Sequence, residues 1–343
     1  MKALQKTERG PGHLRLREVP EPPCGAGQVK VRVEAAGICG TDLHIARDVV
    51  SSRPPVTLGH EIAGVVEEVG SGVCRARVGD RVTVMPYMSV LCGHCRYCRA
   101  GYYALCGSRL VTGHSVDGGF ARYCIVHDYQ IIRLPDNVNI EIGALVEALA
   151  CSVQAVSELA HVEPGDLVLI SGPGPVGLMT LQLVKAQGAK AVVVGLARDK
   201  HRLAVAAEMG ADVVVNAEEE DLYEAVRQLR DGNGVDFAFE CAGEPSSFNQ
   251  CLNAVRKLGT CVLLGLYGEK AAIDPSDIVN KQLTIHGSIS HTWATWDRTM
   301  AILAENRVNL GPIISHRLPL SEWQEGFRLA EERQGLKIIL QPD

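Results

Sequence analysis

The stretch "GDLVLISGPGPVGLMTLQLVKAQG", Gly165–Gly188, decides how this chain folds. An apolar run, Leu167–Ile170, leads into Gly172-x-Gly174-x-x-Gly177 and then into an amphipathic helical pattern. Strand, glycine turn and helix in that order form the setting that a dinucleotide-binding turn needs. Gly172 permits the turn, Gly174 lets backbone approach a pyrophosphate, and Gly177 lets the helix pack on the strand. Pro175 and Val176 lie on the same turn, where the positive end of the helix dipole faces the phosphates. A lone glycine turn is weak evidence, but here the alternation continues. "KAVVVGL" reads as a strand, "DKHRLAVAAEMG" as a helix, "DVVVN" as a strand and "DLYEAVRQLR" as a helix. "VDFAFECAG", "GTCVLLGLYG" and "QLTIHGSI" add further strands. The pattern predicts an α/β unit with a doubly wound parallel sheet over residues 151–290.

Residues 1–150 follow a different rhythm. Short valine-rich strands such as "GQVKVRVEAAG" and "GDRVTVMPY" are broken by Gly and Pro, which predicts a compact barrel-like β domain. The segment 291–343 contains "ISHRLPLSEWQEGFRLAEERQGLKIILQ", a strand, a helix and a last strand expected to return to the first domain. A chain of 343 residues is long enough for two cores. The net charge of -6 comes with mixed signs and no basic tract, which argues against nucleic acid or an anionic membrane as partner. No stretch reads as a membrane span or signal peptide, so a cytoplasmic protein is expected.

In that compartment the 12 cysteines are expected as metal ligands or small buried hydrophobes rather than disulfides. "CGHCRYCRAGYYALC" sets Cys92, Cys95, Cys98 and Cys106 at the spacing C-x2-C-x2-C-x7-C. Four thiolates complete a tetrahedral zinc site with no open position, so such a site builds structure and cannot activate substrate. An iron–sulfur cluster is the competing metal reading. A catalytic metal must then lie elsewhere. "AAGICGTDLH" offers Cys39, Thr41, Asp42 and His44; "TLGHEIAGVVEEVG" offers His60 and Glu61; "GALVEALACSVQAV" offers Glu147. Cys39, His60 and an acidic residue are a three-ligand set with one position open, as catalytic zinc requires.

Taken together, "GICGTDLH", "GHE", the four-cysteine loop, "EALACSVQAV", "SGPGPVG", "FECAG" and the C-terminal segment resemble the zinc-dependent medium-chain alcohol and polyol dehydrogenases over nearly the whole chain. The resemblance implies a GroES-like β-barrel catalytic domain plus a Rossmann domain. It implies two zinc ions per subunit, one catalytic and one structural. Cys39 and His60 match zinc ligands, Glu61 a ligand or exchangeable neighbour, and Glu147 the position that is glutamate in sorbitol dehydrogenases. Thr41 and His44 match the proton relay, Asp42 would orient His60 from behind, and Lys337 falls near the cofactor and Glu61. The acidic residue that holds the ribose of NAD falls on Ala197, followed by Arg198, with Arg202 one helical turn on. That favours NADP(H) over NAD(H), with Asp199 serving as a helix N-cap.

The implied substrate is a polyol or a secondary alcohol. Ile45, His291 and Thr292 replace residues typical of sorbitol dehydrogenases around the substrate, and an L-threonine 3-dehydrogenase is the alternative. Zinc-free quinone reductases of this fold lack the cysteine loop, and a non-catalytic nucleotide-binding protein would not need Thr41 and His44. The late strands of the sheet imply a homodimer or homotetramer paired at an apolar edge.

Overall fold

A computed structural model of the chain describes residues 1–230 and 232–342. The chain divides into two compact units. One comprises Met1–Glu147, Thr292–Ala294 and Ile314–Asp343; the other comprises Ala148–His291 and Thr295–Ile313.

The first unit is built on the ten-residue strand Gln28–Gly37, whose alternating Val29, Val31 and Val33 are buried. It pairs antiparallel with Glu61–Val69 along one edge. The other edge is shared between Tyr123–His127 at its start and Lys337–Gln341 at its end. The sheet continues through Arg81–Val84 and Ile131–Arg133 on one side and Ile314–Pro319 on the other. The end of the chain therefore pairs with the strand that leads into Cys39. A separate sheet joins Leu14–Glu18, Lys2–Lys6 and Val56–Thr57.

The second unit holds six parallel strands. Their spatial order is Val213–Asn216, Lys190–Gly195, Leu167–Ser171, Val235–Glu240, Val255–Leu263 and Thr284–Gly287. This is the order 3-2-1-4-5-6 of a doubly wound Rossmann sheet. Leu167–Ser171 lies near its centre and is buried at all five positions, which explains its unbroken apolar run. The structure adds helices that periodicity alone did not mark, Pro245–Ala254, Pro275–Lys281 and Trp293–Ala304. No described helix is long and apolar enough to cross a membrane.

The expected return to the first domain at 291 differs from the division seen, because 295–313 lies with the parallel-sheet unit. Side-chain chemistry explains the difference. Thr295 Oγ1 and Arg298 both donate to the Glu158 carboxylate, Arg307 donates to the Ala186 carbonyl, and the Asn309 N–H donates to Gln182. Trp296, with no exposed surface, anchors the helix between these bonds.

Asp236 is an electrostatic tie within the parallel sheet. Its carboxylate accepts from the Leu167 N–H at 2.8 Å and from Arg256 Nε at 2.6 Å, and it also pairs with Arg230. Burial alone would raise its pKa, but the N–H and the two guanidinium groups hold it below the ordinary carboxylate value. A carboxylate with a depressed folded pKa contributes stability above its unfolded pKa and loses it as pH falls through the folded value. Asp236→Asn should therefore cost about 2–3 kcal/mol at neutral pH. Urea unfolding should show the gap to wild type narrowing as the medium is acidified through the folded pKa of Asp236. A gap that stays constant on acidification would contradict the assignment.

Candidate metal and dinucleotide sites

Two groups of metal-ligating side chains converge in the first unit. Cys39 ends the approach from strand Gln28–Gly37 and caps the helix Gly40–Ala46. The Asp42 carboxylate, at the third position of that helix, accepts from the Cys39 N–H at 2.9 Å and so fixes the turn. His60 immediately precedes the neighbouring strand, which begins at Glu61, and Glu61 stands opposite Gly37 in the register. A β-carbon on Gly37 would lie 2.0 Å from Glu61 Oε2, so only glycine leaves room for that carboxylate. The ligand atoms of Cys39, His60 and Glu61 lie within 4.8 Å of one another.

The two ring nitrogens of His60 have different surroundings. Its Nδ1 lies 3.6 Å from Asp42 Oδ1 and 3.4 Å from His114 Nε2, which leaves Nε2 for an ion. Burial would lower the His60 pKa, but the charges of Asp42 and Cys39 raise it well above the ordinary value. For His114, burial and then the charge of His60 push the pKa down to about 3. The two rings meet edge to face, with centroids 4.8 Å apart. Sequence spacing gives no sign of His114, because the loop that delivers it is remote from both ligand motifs.

Glu61 and Lys337 form a buried ion pair. Lys337 Nζ donates to both Glu61 oxygens, at 2.6 and 2.7 Å, and to the Ile38 carbonyl at 3.2 Å. The ammonium is held above its ordinary pKa, against the effect of burial, by Glu61 and then Cys39. Burial raises Glu61, and Lys337 opposes that rise. Glu147 begins the buried helix Val146–Val153, and its charge acts on Glu61, Lys337 and His114. Thr41 Oγ1 lies 3.6 Å from Cys39 Sγ. His44 is half-buried, and burial followed by Arg47 lowers its pKa.

The expected substrate residues have mixed surroundings. Ile45 is fully buried in the apolar core of the first unit. The Nδ1 of buried His291 receives the Trp296 indole N–H at 2.7 Å. Thr292 falls in the short 292–294 segment grouped with the first unit.

The four-cysteine loop gathers all four sulfurs within 4.8 Å of one another. The N–H groups of Cys95 and Cys98 donate to Cys92 Sγ and Cys95 Sγ, both at 3.4 Å, and so turn the sulfurs inward. Cys92 Sγ lies 3.6 Å from Cys106 Sγ and 3.9 Å from Cys98 Sγ, and none of these cysteines is in a disulfide. Tetrahedral zinc–thiolate geometry requires sulfurs about 3.8 Å apart. The donor set fits one zinc ion and leaves no space for a multi-iron cluster.

In the second unit Gly172 has φ +105°, and a β-carbon there would meet the Ala242 nitrogen at 2.9 Å. Gly177 packs so closely that a β-carbon would lie 2.0 Å from the Gly172 carbonyl oxygen. At Gly174, which caps the helix Pro175–Ala186, a β-carbon would meet nothing within 4 Å. That opening above a helix N-terminus suits a pyrophosphate. At the end of the second strand, Ala197 and exposed Arg198 lie in a short 3-10 turn. Arg202 is buried, with its guanidinium 4.0 Å from Asp199. Asp199 occupies the expected N-cap position but makes no side-chain cap bond there; it accepts instead from the Leu196 N–H. A carboxylate does reach this corner, because Glu218 accepts from the Ala197 N–H at 2.7 Å. Glu218 comes from the turn after the third strand, so motif spacing around the second strand could not reveal it.

Residues 25–136 match the family model of the alcohol dehydrogenase GroES-like domain, and residues 175–305 match that of the zinc-binding dehydrogenases. The sorbitol dehydrogenase of Halalkalibacterium halodurans is 37% identical, over 100% of this chain and 99% of that protein. An L-threonine 3-dehydrogenase of Pyrococcus horikoshii is 40% identical, over 99% and 98%. A structure described as a zinc-binding dehydrogenase of Sinorhizobium meliloti 1021, bound to NADP, superposes with a TM-score of 0.91. It has 33% identity and covers 99% of each chain.

The geometry makes Glu61 dependent on Lys337. Lys337→Met should destabilise the metal-free protein by about 3–5 kcal/mol, because it strands a fully buried carboxylate. Adding Glu61→Gln should recover much of that loss. Urea denaturation of the two variants checks both values, and a loss in Lys337→Met below about 1 kcal/mol would show the pair to be solvated.

Proposed function

The chain belongs to the zinc-dependent medium-chain alcohol dehydrogenases, an enzyme family, and we propose that it oxidises a polyol or secondary alcohol, with NADP(H) preferred over NAD(H). The observation that carries this reading is the convergence of Cys39, His60 and Glu61 beside Thr41, apart from the closed four-sulfur site. Donors of mixed type with an open position suit a catalytic ion, and four thiolates suit a structural one. Zinc held by Cys39, His60 and Glu61 or Glu147 would supply Lewis acidity that eases deprotonation of an alcohol, and a nicotinamide ring would take the hydride.

The chain's own residues have separable tasks. Asp42, whose Oδ1 lies 3.6 Å from His60 Nδ1, would hold the ring so that Nε2 could serve a zinc ion. The Thr41 hydroxyl, 3.6 Å from Cys39 Sγ, would receive the substrate's proton. His44, kept neutral at neutral pH by its lowered pKa, can accept that proton and release it to solvent. Gly172, Gly174 and Gly177, with Pro175 and Val176, form the pyrophosphate turn. The similarity to an L-threonine 3-dehydrogenase supports oxidation of an amino alcohol as the second reading. Assays with sugar alcohols, diols, secondary alcohols and threonine separate the two by kcat/KM.

Two zinc ions per chain follow from this reading. Cys39→Ser should abolish turnover, lower the zinc content by up to one ion and leave unfolding nearly unchanged. Cys95→Ser should lose the other ion together with much of the stability. Metal analysis and thermal unfolding of both variants decide this, and an active Cys39→Ser variant would remove the catalytic assignment.

The cofactor preference rests on Ala197 and Arg198. The exposed guanidinium can grip a 2′-phosphate, which would have to displace the Glu218 carboxylate from the Ala197 N–H. NADP+ should bind more tightly than NAD+, and Arg198→Ala should cost NADP+ alone roughly 1.5–3 kcal/mol. Direct titration of the purified protein measures this. Tighter binding of NAD+, or an equal loss for both cofactors, would overturn the preference.

A further inference from the structure

The strand order of the parallel sheet reverses between Leu167–Ser171 and Val235–Glu240. Ligand crevices in such sheets open beyond the strand ends at this reversal. Ser171 and Glu240 end the two strands and face each other in the register. Glu240 has no exposed surface. Its Oε1 accepts from the Ala242 N–H at 2.8 Å, the Gly243 N–H at 2.9 Å and the Ser247 hydroxyl at 2.7 Å, and its Oε2 from the Tyr267 hydroxyl at 2.8 Å. All four partners are neutral. The backbone carbonyl of Glu240 accepts from the Leu264 and Gly265 N–H groups, at 2.9 and 3.0 Å. One residue thereby holds the turns that follow two adjacent strands. The turn at Ala242 presses on the glycine turn, since a β-carbon on Gly172 would meet Ala242 atoms at 2.9–3.1 Å.

We propose that Glu240 is a positioning residue for the dinucleotide, which it serves by locking the Ala242–Gly243 amides and holding their turn against Gly172. The proposal rests on the dinucleotide reading given above. The lock depends on side-chain length and acceptor geometry, because both amides converge on one oxygen. Glutamine has the same reach. Its oxygen keeps three donors, and its amide donates to the Tyr267 hydroxyl, which rotates to accept. Aspartate keeps the charge but is one methylene too short to serve both the turn and Tyr267.

The experiment compares Glu240→Asp and Glu240→Gln. Affinity for NADP+ and NAD+ is titrated, and hydrogen exchange at the Ala242 and Gly243 amides is followed in the cofactor-free protein. Glu240→Asp should weaken dinucleotide binding on the order of tenfold, the worth of about one lost hydrogen bond, and speed exchange at both amides. Glu240→Gln should stay within about threefold of wild type and keep both amides slow. A general loss of packing would move the unfolding midpoint without this local, length-dependent pattern. Wild-type binding and slow exchange in Glu240→Asp would overturn the proposal. So would fast exchange or lost affinity in Glu240→Gln, the isosteric variant that keeps the test decisive if Glu240→Asp does not fold. A wild-type protein that binds neither dinucleotide would overturn the dinucleotide reading and, with it, the role in binding. The exchange pattern would then still report whether Glu240 locks the turn.

Discussion

The buried ion pair between Lys337 and Glu61 ties the strand Lys337–Gln341 to the strand that follows His60. Removing two charges from water is expensive, and the cost is offset only when geometry and further hydrogen bonds are good. Here both carboxylate oxygens face one ammonium, which also reaches the Ile38 carbonyl just before Cys39. The pair thus fixes both approaches to the three-ligand site. It also bears on Glu61 as a candidate ligand, because a carboxylate shared with an ammonium would be a weaker donor to a cation than a free one. The charge of buried Glu147 acts on the same carboxylate and on the same ammonium.

The two sulfur-containing sites are assembled by opposite means. The four-sulfur loop needs only local backbone, since short turns and N–H···S bonds aim Cys92, Cys95 and Cys98 at one point. Its formation closes a loop of about fifteen residues, a small entropic cost. The mixed site gathers Cys39, His60 and Glu61 from strand ends that meet only after the sheet has formed. Its precision comes from Gly37, Asp42, His114 and Lys337, none of which is needed to count ligands. A site held by the sheet can keep a coordination position open without collapsing.

The second unit handles a buried carboxylate differently. Glu61 is balanced by a cation, whereas Glu240 is satisfied by neutral donors alone. Each solution suits its place. The ammonium balances the charge of Glu61, while backbone amides around Glu240 set the path of a turn. Asp236, at the other end of the same strand, takes a third course, with two partly exposed guanidinium groups and one N–H.

Much of this molecule was legible in the sequence. The continuous apolar run at Leu167–Ile170, leading into a glycine turn, read as a buried strand, and two of the three glycines, Gly172 and Gly177, stand where a β-carbon would collide. The close spacing of Cys92, Cys95 and Cys98 likewise announced a metal loop, because contacts between near neighbours are written in local spacing. Tertiary structure alone decided the rest. His114 meets His60 and Glu218 reaches Ala197, across 54 and 21 residues of chain. Ile45 turned inward to the core, and Asp199 turned back to Leu196 instead of capping its helix. Long-range partners such as these depend on which strand ends the folded sheets bring together, and a local spacing carries no record of that.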